Sequence, residues 1–221
     1  LPVTLMLVGL ILRGVAFDIR VKASASHKPT WDRLFFAGST LAAVAQGWML
    51  GRYVSGFGTG SNYPLFAAAI AAALPMAYVL LGAAWLIMKT EGELQERAVR
   101  WAKTAWAPMA GGLLLISMAT PWISETVRAR WFVLPEVIAL SAIPLMTGVL
   151  LLAVRGLLNS RVVRGPASWL PFVLLIAVFV LGFLGLAYSI YPYVVIDRLT
   201  IWQAASSRSE EHTSELQSHH P

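Results

Sequence analysis

No cysteine occurs in the 221-residue chain, which excludes disulfides, thiolate metal sites and a cysteine nucleophile together. Histidine is almost as scarce. Three of the four, His212, His219 and His220, fall in a polar C-terminal stretch, leaving only His27 in the loop "SASHKPTW". Haem is held axially by His, Met, Cys or Tyr, and zinc or copper chiefly by His and Cys. No long apolar run contains histidine, and the methionines (Met6, Met49, Met76, Met88, Met109, Met118, Met146) are scattered singly, as packing residues are. There is no P-loop, no HExxH pair and no nucleophile elbow. The chain therefore has no catalytic residues, no metal site and no cofactor-binding set that its sequence can name. Charge is short as well: 13% of residues carry one, against about a quarter in soluble domains.

Apolar sequence fills the space. Hydrophobic residues make up 57% of the chain, with a mean hydropathy of +0.67. Charge-free runs recur at Leu34 to Gly51, Leu65 to Met88, Thr104 to Ser124, Val137 to Val154 and Pro166 to Ile196. A membrane-spanning helix needs roughly 17–25 mostly apolar residues. The fold class is all-α, a polytopic transmembrane helix bundle. Six segments are expected: one ending near Phe17, then 34–54, 64–88, 104–123, 133–154 and 168–191.

The loops between them fix an orientation. Lys and Arg number four in loop 18–33, none in 55–63, four in 89–103, two in 124–131, three in 155–165 and one in 192–207. Alternate loops thus hold 11 against three, which places the first, third and fifth in the cytoplasm. The same bias explains the net charge of +6 without invoking nucleic acid.

Both ends depart from the body of the chain. Leu1 already lies inside an apolar segment, so the first span is expected to be incomplete. The stretch "RSEEHTSELQSH" resembles the translation of a common short-read sequencing adapter in one frame. We read 1–207 as a partial transmembrane domain and 208–221 as a non-native tail. Without that tail the chain has 16 basic and eight acidic residues.

Trp31, Trp101, Trp106, Trp122, Trp131, Trp169, Tyr191 and Tyr193 all lie near segment ends, where an interfacial belt would put them. Gly38, Ala42, Gly47 and Gly51 give small residues four apart, suited to close helix approach. Pro75, Pro108, Pro121 and Pro144 are expected to kink or end helices. Ionisable residues within spans are functional candidates. Arg13 and Arg52 sit close enough to segment ends to snorkel, and Glu136 after Pro135 suits a helix N-terminus. Lys89 marks the end of the third segment and Gly92 a helix stop. Glu93 with Arg97, and Glu96 with Arg100, are acid-before-base pairs four apart, as on a short interfacial helix.

Four motifs then carry a resemblance. "LMLVGLILRGVAFDIR" (5–20), "LLGAAWLIMKTEGELQ" (80–95), "RWF" (130–132) and "YPYVVIDRLTIWQAAS" (191–206) resemble, in order and spacing, subunit II of the bacterial cytochrome bd quinol oxidases. The resemblance implies a multi-pass subunit of a respiratory terminal oxidase in the bacterial cytoplasmic (inner) membrane. The complex would oxidise quinol, reduce dioxygen to water and contribute to the proton gradient. It implies haems of b and d type in the partner, subunit I, and none here, with a structural quinone and a small accessory subunit as further components. Membrane lipid is the surrounding partner. Family-typical residues fall on Arg13, Gly14 and Phe17, on Trp85, Leu86, Lys89, Thr90, Glu91, Gly92, Leu94 and Gln95, and on Thr200, Ile201 and Trp202. Relatives often have proline where this chain has Ile196, and the loop 55–64 is short for the family. Lys89 and Glu91 are expected to hold helix ends or the partner subunit, in a network with backbone groups at the Gly92 turn. The alternative reading of the same composition is a secondary transporter or another helical membrane subunit. A transporter would show helices broken near the midplane.

Overall fold

The computed structural model describes residues 1–123, 128, 136–195 and 199–205. Six long helices dominate them: α1 (Pro2–Lys22), α2 (Lys28–Val54), α3 (Asn62–Lys89), α4 (Gly92–Ile123), α5 (Glu136–Asn159) and α6 (Leu170–Ile190). All six are long and apolar enough to cross a membrane. Their starts use proline where its missing N–H costs nothing, in the first turns of α1, α2 and α6. Their basic ends place Arg20 and Lys22 in the last turn of α1 and Lys89 in that of α3, where the helix dipole favours cations.

A short 3-10 turn, Arg161–Arg164, links α5 to α6. The Ser160 hydroxyl caps it by accepting from the Val162 N–H at 3.2 Å. After α6 the chain forms a two-stranded antiparallel hairpin, β1 (Tyr193–Val195) with β2 (Leu199–Thr200), and then a short helical segment over 201–205.

Each helix packs on the next, and α6 folds back onto α3. The core lies between α3, α4, α5 and α6. Leu80, Ile87, Val99, Val154, Leu158, Val163 and Leu175 are its largest wholly buried aliphatic side chains. A smaller cluster of Val54, Phe66 and Ile70 sits where α2 meets α3, with Ile116 of α4 and Leu186 of α6 against it.

The pairing of α1, α2 and α3 depends on residues without side chains. A Cβ on Gly9 would lie 2.7 Å from the Gly38 carbonyl oxygen, and one on Gly38 would lie 2.7 Å from that of Gly9. On the other face of α2, a Cβ on Gly47 would meet Ala71 Cα at 2.6 Å, and one on Gly51 would meet Ala67 Cα at 2.4 Å. The small-residue spacing in α2 therefore serves two neighbours, α1 and α3.

Three expectations change. The charged stretch after Gly92 is no separate interfacial helix: α4 runs without a break from Gly92 to Ile123. Its first turns are amphipathic, burying Gln95, Ala98, Val99 and Ala102 while charges face outward, so an unbroken helix satisfies both regions. Of the two outcomes expected of the prolines, kinking or ending a helix, the second does not hold for Pro75, Pro108 and Pro144, which lie inside α3, α4 and α5, while Pro121 lies two residues before the end of α4. The first segment does not stop near Phe17 but continues to Lys22, giving α1 21 residues. The "RWF" motif, Ile196 and the tail 208–221 lie outside the described residues, as do the side chain of Glu136 and the Trp131 assigned to the aromatic belt.

Candidate functional site

The sequence-derived candidates fall into three places. The first is the junction of α3 with α4. The last carbonyls of a helix have no partner within it, and here two side chains supply partners. The Thr90 hydroxyl donates to the Leu86 carbonyl at 2.7 Å, alongside the Thr90 N–H at 2.9 Å. Gln95, 7% exposed, reaches back from α4 and donates its Nε2 to the Ile87 carbonyl at 2.9 Å. Gly92 has φ +66°, a left-handed turn that L side chains rarely adopt, and a Cβ there would meet nothing within 4 Å. Glycine is needed at Gly92 for torsion alone, not for space.

Around this turn lies a recess of about 370 Å³ lined by Met88, Lys89, Thr90, Glu91, Gly92, Gln95, Arg164, Gly165 and Ser168. The motif "KTEG" thus faces the α5–α6 connection, a neighbour about seventy residues away along the chain. Lys89 also lies over the Trp85 ring, 5.2 Å from its centroid, and Trp85 meets Phe172 of α6 edge-on at 5.1 Å. Glu91 is exposed on the recess wall. Thr90 and Gln95, rather than Glu91, make the backbone bonds of this turn.

The second place is the α1–α2 pair near the same basic end. Arg13 stacks over Phe35 at 5.5 Å, and Phe17 lies 6.5 Å from the same ring. Leu10, Arg13, Gly14, Phe17 and Phe35 line an open apolar hollow. Arg20 pairs with Asp32 across the α1–α2 turn. The third place is the opposite end. There Thr200 and Gln203 cap the short helical segment reciprocally: the Thr200 N–H donates to Gln203 Oε1 at 3.0 Å and the Gln203 N–H to Thr200 Oγ1 at 3.3 Å. Trp202 meets Tyr191 edge-on at 6.1 Å. The Tyr53 hydroxyl, at the end of α2, donates to the Val194 carbonyl and ties this hairpin to the bundle.

Sequence reading missed several partners. Arg164 and Ser168 join the recess only through the fold, as Phe35 and Phe172 join the aromatic contacts. The Thr200–Gln203 pair was visible as T-x-x-Q, the spacing of a capping box. Of the two expected acid–base pairs on α4, Glu93 and Arg97 meet at 2.6 Å, while Glu96 and Arg100 are not among the ion pairs of the described residues. Trp106 turns inward from the belt, donating its indole N–H to the Leu151 carbonyl at 2.9 Å beneath Arg155.

His27, the one histidine described, is exposed in the α1–α2 turn with Nδ1 within hydrogen-bond distance of the Ser24 and Ser26 hydroxyls, at 2.9 and 3.2 Å. Among the described residues no three His, Asp or Glu side chains group to hold a metal.

No curated protein matches the chain significantly. The family profile of cytochrome bd terminal oxidase subunit II matches residues 1–213, nearly the whole chain, and the six apolar helices agree with a multi-pass subunit. The motifs at the three places just described lie within that span, and the chain belongs to the cytochrome bd terminal oxidase subunit II family.

Proposed function

We propose that this chain is the haem-free membrane subunit of a quinol-oxidising terminal oxidase, and that it supports the partner in which electrons pass to dioxygen. Membership of the family makes it a subunit of an oxidoreductase complex associated with another oxidase subunit. One observation carries the finer reading: the membrane helices hold no histidine or cysteine with which to ligate a haem iron. The partner would then hold the b- and d-type haems and the quinol-oxidising site, and reduce dioxygen to water. This chain would shield and position those groups from the side, with a structural quinone and a small accessory subunit as further components of the assembly. The orientation that suits the basic loops puts the α3–α4 recess on the cytoplasmic side of the bacterial inner membrane. The continuous course of α3, α4 and α5 through their interior prolines favours a packed support over a transporter, whose helices would break around a midplane site.

The test is purification of the full-length protein from its own membranes by a tag on this chain, followed by a reduced-minus-oxidised spectrum. A haem-bearing partner should co-purify, and the haem absorbance should leave with it when the subunits are separated. Haem remaining on this chain with axial ligation, or no haem-bearing partner at all, would overturn the proposal.

A further inference from the structure

The recess at the α3–α4 junction has more in it than helix ends need. Thr90 and Gln95 already satisfy the last carbonyls of α3, yet Lys89 and Arg164 both line the recess from separate elements. Neither makes an ion pair with a described residue; those pairs are Arg20 with Asp32 and Arg97 with Glu93. We propose that the recess holds the headgroup of an anionic glycerophospholipid, with its phosphodiester between Lys89 and Arg164.

Four features point to that occupant. Lys89 ends α3, Gly92 begins α4 and Ser168 lies just before α6, so the recess opens at the level where helices leave the bilayer. Its donors suit phosphate: an ammonium, a guanidinium fork, the Ser168 hydroxyl and the first-turn N–H groups of α4. Among the described residues its charged lining is two cations and one carboxylate, a net single positive charge that matches a phosphodiester better than a doubly charged phosphate. Glu91 can accept from a headgroup hydroxyl while disfavouring a second negative charge. Next to the recess Lys89 lies over the Trp85 ring, which meets Phe172 edge-on, and Trp85 is 45% exposed. Amphipathic rings at headgroup depth suit the upper acyl chain. Basic pockets between membrane helices commonly bind such headgroups. A free anion would use the same donors and leave these neighbouring rings bare.

The experiment uses the full-length protein in its native complex, delipidated in detergent. It is titrated with phosphatidylglycerol or phosphatidylcholine in mixed micelles, with retention read by native mass spectrometry and stability by thermal unfolding. A single phosphatidylglycerol should be retained in preference to phosphatidylcholine and should raise the unfolding temperature. Lys89→Gln with Arg164→Gln should weaken its retention on the order of tenfold or more, as loss of charge-assisted bonds predicts, and Arg164→Lys should keep most of it. Equal retention of both lipids overturns the proposal, as does unchanged retention in the double variant. Displacement by inorganic phosphate alone would make this a free-anion site. Loss of the partner subunit rather than lipid on Arg164→Gln would make it a protein contact. Either result also overturns the proposal. If the double variant fails to assemble, the wild-type lipid preference and the phosphate competition still decide.

Discussion

Glycine does opposite things in the two halves of this bundle. In α1 and α2, Gly9, Gly38, Gly47 and Gly51 sit where any Cβ would come within 3 Å of a neighbouring backbone atom. In α5 and α6, Gly148, Gly156 and Gly182 face open space, and Gly185 meets only the end of the Ile143 side chain, at 3.1 Å. At these four positions α1, α2 and α3 meet backbone to backbone, although Gly14 of α1 faces open space. The second half is held by interdigitated aliphatic residues such as Val154, Leu158, Leu175 and Val178. Backbone contacts cannot yield by changing rotamer, whereas side-chain contacts can. The N-terminal helices should therefore tolerate substitution least.

The largest effect follows directly. Gly51→Ala puts a methyl group 2.4 Å from Ala67 Cα, so α2 and α3 must separate. Overpacking of this kind costs about 1–3 kcal/mol, and more for Gly51→Leu. Gly148→Ala, with nothing within 4 Å, should be neutral or stabilise helix α5 by about 0.5–1 kcal/mol. Thermal unfolding of the purified complex separates the two. A Gly148→Ala variant as damaged as Gly51→Ala would break the comparison and show that another protein surface covers α5.

Next in size is Gln95→Leu. It removes the donor to the Ile87 carbonyl in a position only 7% exposed, leaving a buried acceptor unpaired. The expected loss is about 1–3 kcal/mol, read in the same unfolding experiment. An unchanged midpoint would mean that water or another donor reaches that carbonyl.

These two sites also mark what could be read from sequence. The number of spans was legible because hydropathy reports directly on the membrane. The extent of α4 was not: a hydropathy window sees where charge begins, whereas the helix continues as long as its backbone bonds and buried stripe of Ala98, Val99 and Ala102 continue. The residue types of the "KTEG" turn were legible, with Gly92 read as a helix stop. Its partners Arg164 and Ser168 were not, because they lie seventy-odd residues away and nothing local marks the pairing. Trp106 shows the same limit: a tryptophan near a span end can sit in the interface or, as here, turn inward to a carbonyl.

Gly92→Ala should come third. The left-handed φ of +66° penalises any Cβ through its own backbone, and no neighbour adds to the penalty. The cost is about 1–2 kcal/mol. Gly92→Asn should lose less than Gly92→Ala, because asparagine tolerates this region better. Equal losses would point to a contact with the partner subunit rather than to torsion.

Glu91→Gln should have the smallest effect on stability and is the most telling about role. The carboxylate is exposed, and the backbone bonds of its turn come from Thr90 and Gln95. Exposed charges of this kind are worth about 0–1 kcal/mol, so the unfolding midpoint should move little. The lining of the recess would keep Lys89 and Arg164 and lose its one acid, so phosphatidylglycerol should be retained at least as well as before. Turnover per intact complex should stay near normal, because among the described residues no second acid lines the recess to pass a proton onward. A fully assembled complex with abolished turnover or proton release would place Glu91 on a proton path. The α3–α4 junction would then carry chemistry that the rest of this chain does not.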